Sequence, residues 1–281
     1  MVRKLLLVGL IWLTIGTGMA VAAENIVIKG STTVLPVAQA ALEAYMKAHP
    51  GVNISLSGGG SGDGIKALID KSTDIANSSR EMKDKEITLA KQKGVNPVAH
   101  TIAIDAIVPI VHPKNKVHGL TTDQLSQIYQ GKITNWKEVG GDNLTIVVVS
   151  RDSSSGTFES WGHLVLSDAR VTARAQLQAS NGAVVQAVSK NRYAIGYIGL
   201  GYLNPSVKAL TVNGITASAK TALSKEYPVA RPLYMYTNGQ PAGEVANFVK
   251  FILSPAGQQL VANEGFVPLK ESKEKSRKKR D

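Results

Sequence analysis

The stretch Leu144–Leu166, LTIVVVSRDSSSGTFESWGHLVL, places a strand, a loop and a helix in direct succession. Its first part is the short apolar run of a buried strand, and Thr157–Leu166 is predicted as a helix. Between them lies Arg151–Thr157, where glycine and small hydroxyl residues indicate a loop. The same order of strand, polar loop and helix is predicted from Asn25–Lys29 and again from Val52–Leu56. This repetition is typical of an α/β fold.

The rest of the chain continues the alternation. Ile102–Val111 is an almost continuous apolar run broken by Asp105, a pattern that predicts a strand buried in a parallel sheet. Thr121–Gln124 forms a capping box that opens a helix. Ala169–Gln178 is predicted as a further helix. We therefore expect mainly parallel sheets flanked by helices.

The middle of the chain, roughly Pro109–Pro232, has the pattern of a compact unit of its own. The two ends of the chain must then form the other unit together. This requires two crossings, near residues 105–110 and 230–235. We expect one lobe of residues 24–107 plus 233–269 and a second lobe of residues 108–232.

Both termini differ from this pattern. Arg3 and Lys4, an uncharged run to Met19 and a small-residue site predict a cleaved secretory signal peptide over residues 1–22. The alternative, an N-terminal membrane anchor, would need a longer apolar run. The chain has no cysteine, which excludes disulfides, thiolate metal sites and a thioether lipid anchor. Residues 270–281, with seven basic and three acidic side chains, are predicted to form a disordered basic tail.

The charge balance argues against nucleic-acid binding. The net charge of +11 includes +4 from the tail and +2 from the signal peptide, which leaves +5 between them. Only four phenylalanines are present, and no basic and aromatic stripe accompanies that charge. The remaining charge is a mild bias towards anionic ligands.

Four loops at predicted strand ends carry groups that bind anions. A helix N-terminus presents free N–H groups and partial positive charge, glycine admits a close approach, and serine and threonine add hydroxyl donors. Arg151 adds a planar fork that matches a tetrahedral oxyanion. Each loop alone could be only a helix cap, but together they point to one small anion held between two lobes. The loops are Gly30–Val34, Gly58–Gly64, Asn77–Arg80 and Arg151–Thr157.

Other site chemistries do not fit the sequence. Gly59–Gly64 has the spacing of a P-loop, but Ile65 precedes Lys66 and no serine or threonine follows, which excludes nucleotide binding. The five histidines form no metal motif, and no nucleophile has a partnered base. We expect no metal, no cofactor and no enzymatic activity.

Several segments together resemble the PstS family, the periplasmic phosphate-binding proteins of ABC transporters. The likeness spans about residues 25–268 and implies a two-lobed, type II periplasmic-binding-protein fold that closes on dehydrated phosphate through two hinge crossings. The segments are Gly30–Pro36 (GSTTVLP), Ser57–Gly64 (SGGGSGDG), Ile128–Trp136 (IYQGKITNW), Arg151–Thr157 (RDSSSGT) and Ala194–Tyr197 (AIGY).

The resemblance also implies which residues bind phosphate. Thr32 looks like a hydroxyl donor, Thr33 like a backbone donor, Ser61 like the glycine-loop donor and Arg151 like the charged fork. The donors at the helix N-terminus follow Arg151. The full predicted set is Thr32, Thr33, Ser61, Ser79, Arg80, Arg151, Ser155, Gly156 and Thr157.

Ser79 departs from the family pattern. Better-known members carry an aspartate there, which accepts a proton from phosphate and so rejects sulfate. A serine penalises sulfate less, and Arg80 beside it would add a second positive charge, as in the shorter branch of the family. Asp63, Asp105 and Asp152 are alternative acceptors.

The sequence therefore predicts an exported, periplasmic monomer without a lipid anchor. It would capture inorganic phosphate and pass it to a membrane ABC permease. One alternative is a binding protein for sulfate, molybdate or tungstate. Another is a phosphate-binding sensor or adhesin, supported only by the basic tail. A phosphatase would need motifs that the sequence lacks.

Overall fold

The computed structural model describes residues 24–269, so the predicted signal peptide (1–22) and basic tail (270–281) lie outside the described residues. Strands and helices alternate in the described part of the chain, as predicted. The strands are β1 (Glu24–Gly30), β2 (Val52–Ser57), β3 (Ile75–Ser78), β4 (Pro97–Val111), β5 (Gly119–Leu120), β6 (Val147–Arg151), β7 (Gln176–Gln178), β8 (Ala194–Gly199), β9 (Lys208–Ala209), β10 (Thr211–Val212) and β11 (Ala230–Asn238). The helices are α1 (Leu35–Ala48), α2 (Ser61–Ile69), α3 (Asp84–Gln92), α4 (Thr122–Tyr129), α5 (Gly156–Leu166), α6 (Asn181–Ser189), α7 (Ala219–Leu223), α8 (Gly243–Leu253) and α9 (Pro255–Asn263).

The main sheet has the strand order β2-β1-β3-β11-β4-β8-β6-β7, and β9 pairs with β4 beside this path. Its two outer parts are parallel: β1 pairs with β2 and β3, and β6 pairs with β7 and β8. Its centre is antiparallel, because β11 runs against β3 and β4, and β4 runs against β8.

The prediction that Ile102–Val111 lies in a parallel sheet is therefore wrong. The run belongs to β4, which is antiparallel to both β11 and β8. An apolar run reports that both faces of a strand are buried, but it does not report the direction of the neighbouring strands. That direction follows from how the chain returns to the sheet.

The apolar side chains form two main cores. The first core lies between the sheet around β1 and β3 and the helices α1, α8 and α9. The second core surrounds β6, β8 and the latter half of β4, and it includes Trp136 and Trp161. Along β4 the change of core falls between Ala103 and Ala106, and at the start of β11 it falls between Val229 and Leu233. Two strands thus connect the cores.

The prediction of a helix over Ala169–Gln178 is wrong. Helix α5 ends at Leu166, and Ser167 and Asp168 both have positive φ, 49° and 64°, which turns the chain away from a helical path. The end of the predicted segment becomes β7, paired with β6. Local helix propensity was overridden by this edge pairing.

Helix starts follow the caps that the sequence shows. Thr121 Oγ1 accepts a hydrogen bond from the Gln124 amide at 3.0 Å, and Gln124 Oε1 accepts one from the Thr121 amide at 2.9 Å, which confirms the capping box of α4. Within residues 24–269, no helix has the length and apolar character needed to cross a membrane.

Candidate anion-binding site

The four hydroxyl-rich loops meet between the two cores. β1, β2 and β3 belong to one parallel group, so the loops that follow them leave the same edge of the sheet. The loop after β6 reaches them from the second core. The Gly62 amide donates to Ser154 O at 2.9 Å, and Ser154 Oγ lies 2.8 Å from Gly59 O.

The close contact of these loops depends on glycine. Gly60 has φ +134°, and a Cβ there would lie 2.6 Å from Ser154 O. A Cβ on Gly156 would lie 2.3 Å from Ser61 Oγ and 2.8 Å from Ser79 Oγ. Real Cβ contacts are longer, so both positions require glycine for the loops to meet.

Arg151 is a buried cation, 1% exposed, that no carboxylate contacts within the described chain. Its Nε donates to Gln178 O and its Nη2 to Ala179 O, both at 2.9 Å, while Nη1 is buried without a hydrogen-bond partner among residues 24–269. Burial lowers the pKa of the guanidinium, against the attraction of Asp152. A buried arginine donor of this kind calls for an anion.

The first turn of α5 adds further donors next to this cation. Ser155 caps the helix, with its Oγ accepting from the Phe158 amide at 3.2 Å. The Gly156 and Thr157 amides belong to the first turn, where no preceding carbonyl is available to accept from them. The hydroxyls of Ser61 and Ser79 lie opposite this turn. Helix dipole and hydroxyl donors therefore favour negative charge at the same place.

A second arginine, Arg231, lies in this region and was not predicted from the sequence. Arg231 on β11 lies opposite Asp105 on β4, and its Nη2 donates to Asp105 Oδ2 at 3.0 Å. Nη2 also donates to Thr157 Oγ1 at 2.9 Å, and Nη1 donates to Gly156 O at 3.1 Å. The two charges compensate each other, so Arg151 remains the net positive charge of the site.

Burial governs the titration of this ion pair. It raises the pKa of Asp105, although Arg231 acts in the opposite direction. It lowers the pKa of Arg231, although Asp105 acts in the opposite direction. The available signals were an aspartate that interrupts an apolar run and an arginine at a predicted crossing.

Asn181, at the start of α6, is a second residue that the sequence analysis missed. Its Oδ1 accepts from the Gly199 amide at 3.1 Å, so its amide nitrogen faces the threonines. Nδ2 donates to Thr32 Oγ1 at 3.2 Å and to Thr33 Oγ1 at 3.1 Å. Only the serine before it, as a helix cap, marked this position in the sequence.

Eight of the nine predicted binding residues line the region between the cores or support it directly. Thr33 departs in detail, because its amide donates to Ser31 Oγ at 3.2 Å rather than pointing freely into the site. All eight are buried side chains or, for glycine, buried backbone. They are Thr32, Thr33, Ser61, Ser79, Arg151, Ser155, Gly156 and Thr157.

Arg80, the ninth, is directed elsewhere. Its Nη1 and Nη2 each lie 2.8 Å from a carboxylate oxygen of Glu86, and its Nε lies 2.6 Å from Glu159 Oε2. Burial alone would lower the pKa of Arg80, but Glu86 and Glu159 together raise it. Its charge is compensated by these carboxylates.

The alternative proton acceptors are also exposed or already paired. Asp63 is exposed. Asp152 accepts from the Ser154 amide at 2.9 Å and from Ser154 Oγ at 2.6 Å. Asp105 is paired with Arg231. Across residues 24–269, no three histidine or acidic side chains are grouped as a metal site.

The chain is similar in sequence to known binding proteins. A family model described as a PBP superfamily domain matches residues 16–256. The phosphate-binding protein PstS of Borreliella burgdorferi is 34% identical over 260 residues, covering 88% of this chain and 91% of the relative. PstS of Bacillus subtilis is 31% identical, covering 90% of this chain and 83% of the relative.

Solved structures of proteins from phosphate transporters are also similar to this chain. A putative phosphate ABC transporter substrate-binding protein from Clostridium perfringens, with bound phosphate, matches with a TM-score of 0.82 and 37% identity over 88% of this chain and all of the other. An ABC-type phosphate transport receptor from Vibrio cholerae matches with a TM-score of 0.72 and 31% identity, over 86% and 99% of the two chains.

Proposed function

We propose that this chain, which belongs to the PstS family of phosphate-binding proteins within the PBP superfamily, is the substrate-binding protein of a phosphate ABC transporter. It captures inorganic phosphate between its two lobes and delivers it to a membrane permease. The family relationship supports this ligand and this transport role.

The observation that carries the proposal is Arg151 Nη1, which lies beside the first turn of α5 and has no hydrogen-bond partner among residues 24–269. Transferring an anion out of water costs several kcal/mol unless protein donors replace its hydration. Here the guanidinium, the helix amides and the hydroxyls of Ser61 and Thr157 are available as those donors. A tetrahedral oxyanion with four acceptor oxygens suits such a set.

We propose lobe boundaries at residues 24–107 plus 233–269 and at residues 108–232, supported by the two apolar cores. Phosphate bridges the two lobes, and the contacts that form on closure shift the equilibrium towards the closed state. β4 and β11 carry the two crossings. We propose a periplasmic, non-lipidated monomer. Family membership and the predicted signal peptide support the periplasmic location, and the absence of cysteine supports the absence of a lipid anchor.

One observation favours a second candidate ligand. Ser79 supplies a hydroxyl where a carboxylate would reject a fully deprotonated oxyanion, and Asp105 is already paired with Arg231. Sulfate, molybdate or tungstate would therefore meet no unpaired carboxylate in the described site.

Isothermal titration of the ligand-stripped mature protein with phosphate, sulfate and molybdate tests the proposal. We expect tight phosphate binding that weakens roughly 10²-fold in Arg151→Gln, since a charged hydrogen bond contributes about 1.5–3 kcal/mol. Arg174→Gln, at an exposed position, is the matched control and should bind like the wild type. Unchanged affinity in Arg151→Gln would refute the assignment of the site. Tighter binding of sulfate or molybdate than of phosphate would show that the protein is a binding protein for that anion instead.

A further inference from the structure

The hydrogen bonds around Thr33 and Thr157 favour one orientation of their hydroxyl protons. The two Oγ1 atoms lie 2.9 Å apart, so one hydroxyl donates to the other. Thr33 Oγ1 accepts from Asn181 at 3.1 Å and shares an Arg231 Nη2–H at 3.4 Å. Asn181 thus occupies one lone pair of Thr33, while Arg231 contributes only weakly to the second, because the two Nη2 protons also serve Asp105 and Thr157. These contacts favour Thr33 as the donor to Thr157.

This direction settles the role of Thr157. Its Oγ1 accepts from Arg231 Nη2 at 2.9 Å and from the Thr33 hydroxyl. With both lone pairs occupied, Thr157 has only its proton to offer, and it is placed in the first turn of α5, beside the anion site. The reverse arrangement, in which Thr157 donates to Thr33, would turn a Thr157 lone pair towards an anion.

We propose that Arg231, held in place by Asp105, is a positioning residue that makes the Thr157 hydroxyl an obligate donor to the bound oxyanion. Asp105 Oδ2 receives both Nε, at 3.2 Å, and Nη2, at 3.0 Å, which fixes the plane of the guanidinium. Arg231 is thereby directed at Thr157 and at Gly156 O rather than at the ligand. This inference rests on the proposed phosphate-binding function.

Arg231 could instead act only as a positive charge that attracts the anion. Asp105 argues against it, because the carboxylate neutralises that charge in direct contact. The two roles make different predictions. A positioning role acts through the Thr157 hydroxyl and requires the planar guanidinium of arginine. A role as a positive charge requires neither the hydroxyl nor the guanidinium.

A double-mutant cycle separates the two roles. Phosphate dissociation constants are measured for the wild type, Arg231→Gln, Thr157→Val and the double variant. We expect Arg231→Gln to weaken binding about tenfold in the wild-type background but no more than about twofold when Thr157 is valine. Equal losses in both backgrounds overturn the inference.

Arg231→Lys is the matched control for charge. We expect it to weaken binding nearly as much as Arg231→Gln, because an ammonium cannot hold the arginine's several partners at once. Wild-type affinity in Arg231→Lys overturns the inference.

Loss of the buried partner of Asp105 threatens folding, so the cycle is repeated with the neutral pair Asp105→Asn plus Arg231→Gln in place of Arg231→Gln. Thermal unfolding confirms that each variant is folded. The same coupling to Thr157 supports the inference, and its absence overturns it. Failure of the wild-type protein to bind phosphate would instead refute the proposed function itself.

Discussion

The hydroxyls of Ser61 and Ser79 lie 3.3 Å apart, opposite the first turn of α5. The Ser79 amide donates to Ser61 Oγ at 3.0 Å, which occupies one lone pair of that oxygen and favours Ser61 as a donor to the ligand. When Ser61 donates to a ligand, Ser79 Oγ can donate to Ser61 Oγ and keep a lone pair for the proton of hydrogen phosphate, or turn its own proton towards sulfate instead. We propose that this serine sets how well the two anions are distinguished.

Replacing Ser79 with aspartate should sharpen that distinction. A carboxylate accepts the proton of hydrogen phosphate but faces only lone pairs on sulfate, and like-charge contacts cost several kcal/mol. We expect Ser79→Asp to raise the ratio of the sulfate to the phosphate dissociation constant by at least about 10². Competition titrations at constant pH measure the ratio. Ser79→Asn, similar in size but uncharged, should leave it within about threefold, and an equal rise in both variants would contradict the argument.

Candidate site residues that are close together in the sequence could be predicted. Those whose partners are distant in the sequence could not. Ser155, Gly156 and Thr157 form a cap and first turn that the local sequence defines by itself. Arg231 and Asn181 belong to the same network, but their partners lie many residues away along the chain. A single sequence shows that such polar residues interrupt apolar segments, without showing what they contact.

Among the elements of the fold, α5 carries most of the proposed site. Its N-terminus offers amides and a partial positive charge, and its first turn is held by Arg231 through Gly156 O. The absence of a side chain at Gly156 lets Ser61 and Ser79 approach this turn. Binding and helix stability can therefore be separated by substitutions along the same helix.

Two glycine substitutions in α5 test this separation. Gly156→Ala would place a Cβ 2.3 Å from Ser61 Oγ, so we expect phosphate binding at least about tenfold weaker. Gly162→Ala is the matched control, since nothing lies within 4 Å of its Cβ. It should bind normally and gain up to about 1 kcal/mol in the free energy of unfolding. Titration and thermal unfolding measure both effects. Weaker binding in Gly162→Ala, or normal binding in Gly156→Ala, would contradict this account.

Most of the secondary-structure elements could be predicted from the sequence. The order of most strands and helices followed from periodicity and caps, as for α4 and α5. The direction of β4 did not, because an apolar run is the same in parallel and antiparallel surroundings. The helix predicted over residues 169–178 does not form, because the pairing of β7 with β6 at the sheet edge outweighed the local preference for a helix.

For the whole molecule, the two cores are joined by strands and by polar contacts across the loops between them. β4 and β11 pass from one core to the other. Glu159 on α5 adds a charged link, since its Oε2 lies 2.6 Å from Arg80 Nε and 2.7 Å from Lys83 Nζ, both on the side of the first core. These contacts require the lobes to be together, so they favour the closed form without touching the ligand.

Removing this charged link should weaken ligand retention. We expect Glu159→Gln to raise the phosphate dissociation constant about 3- to 10-fold, mainly through faster dissociation, because the closed form loses two ion contacts and the open form loses none. Stopped-flow dissociation at low and high salt measures this, and the difference from wild type should shrink as salt screens the pairs. Asp70→Asn is the matched control: Asp70 also contacts two lysines, Lys66 and Lys93, but all three lie on the first-core side. Equal effects of the two substitutions would mean that Glu159 stabilises the fold in general rather than lobe closure.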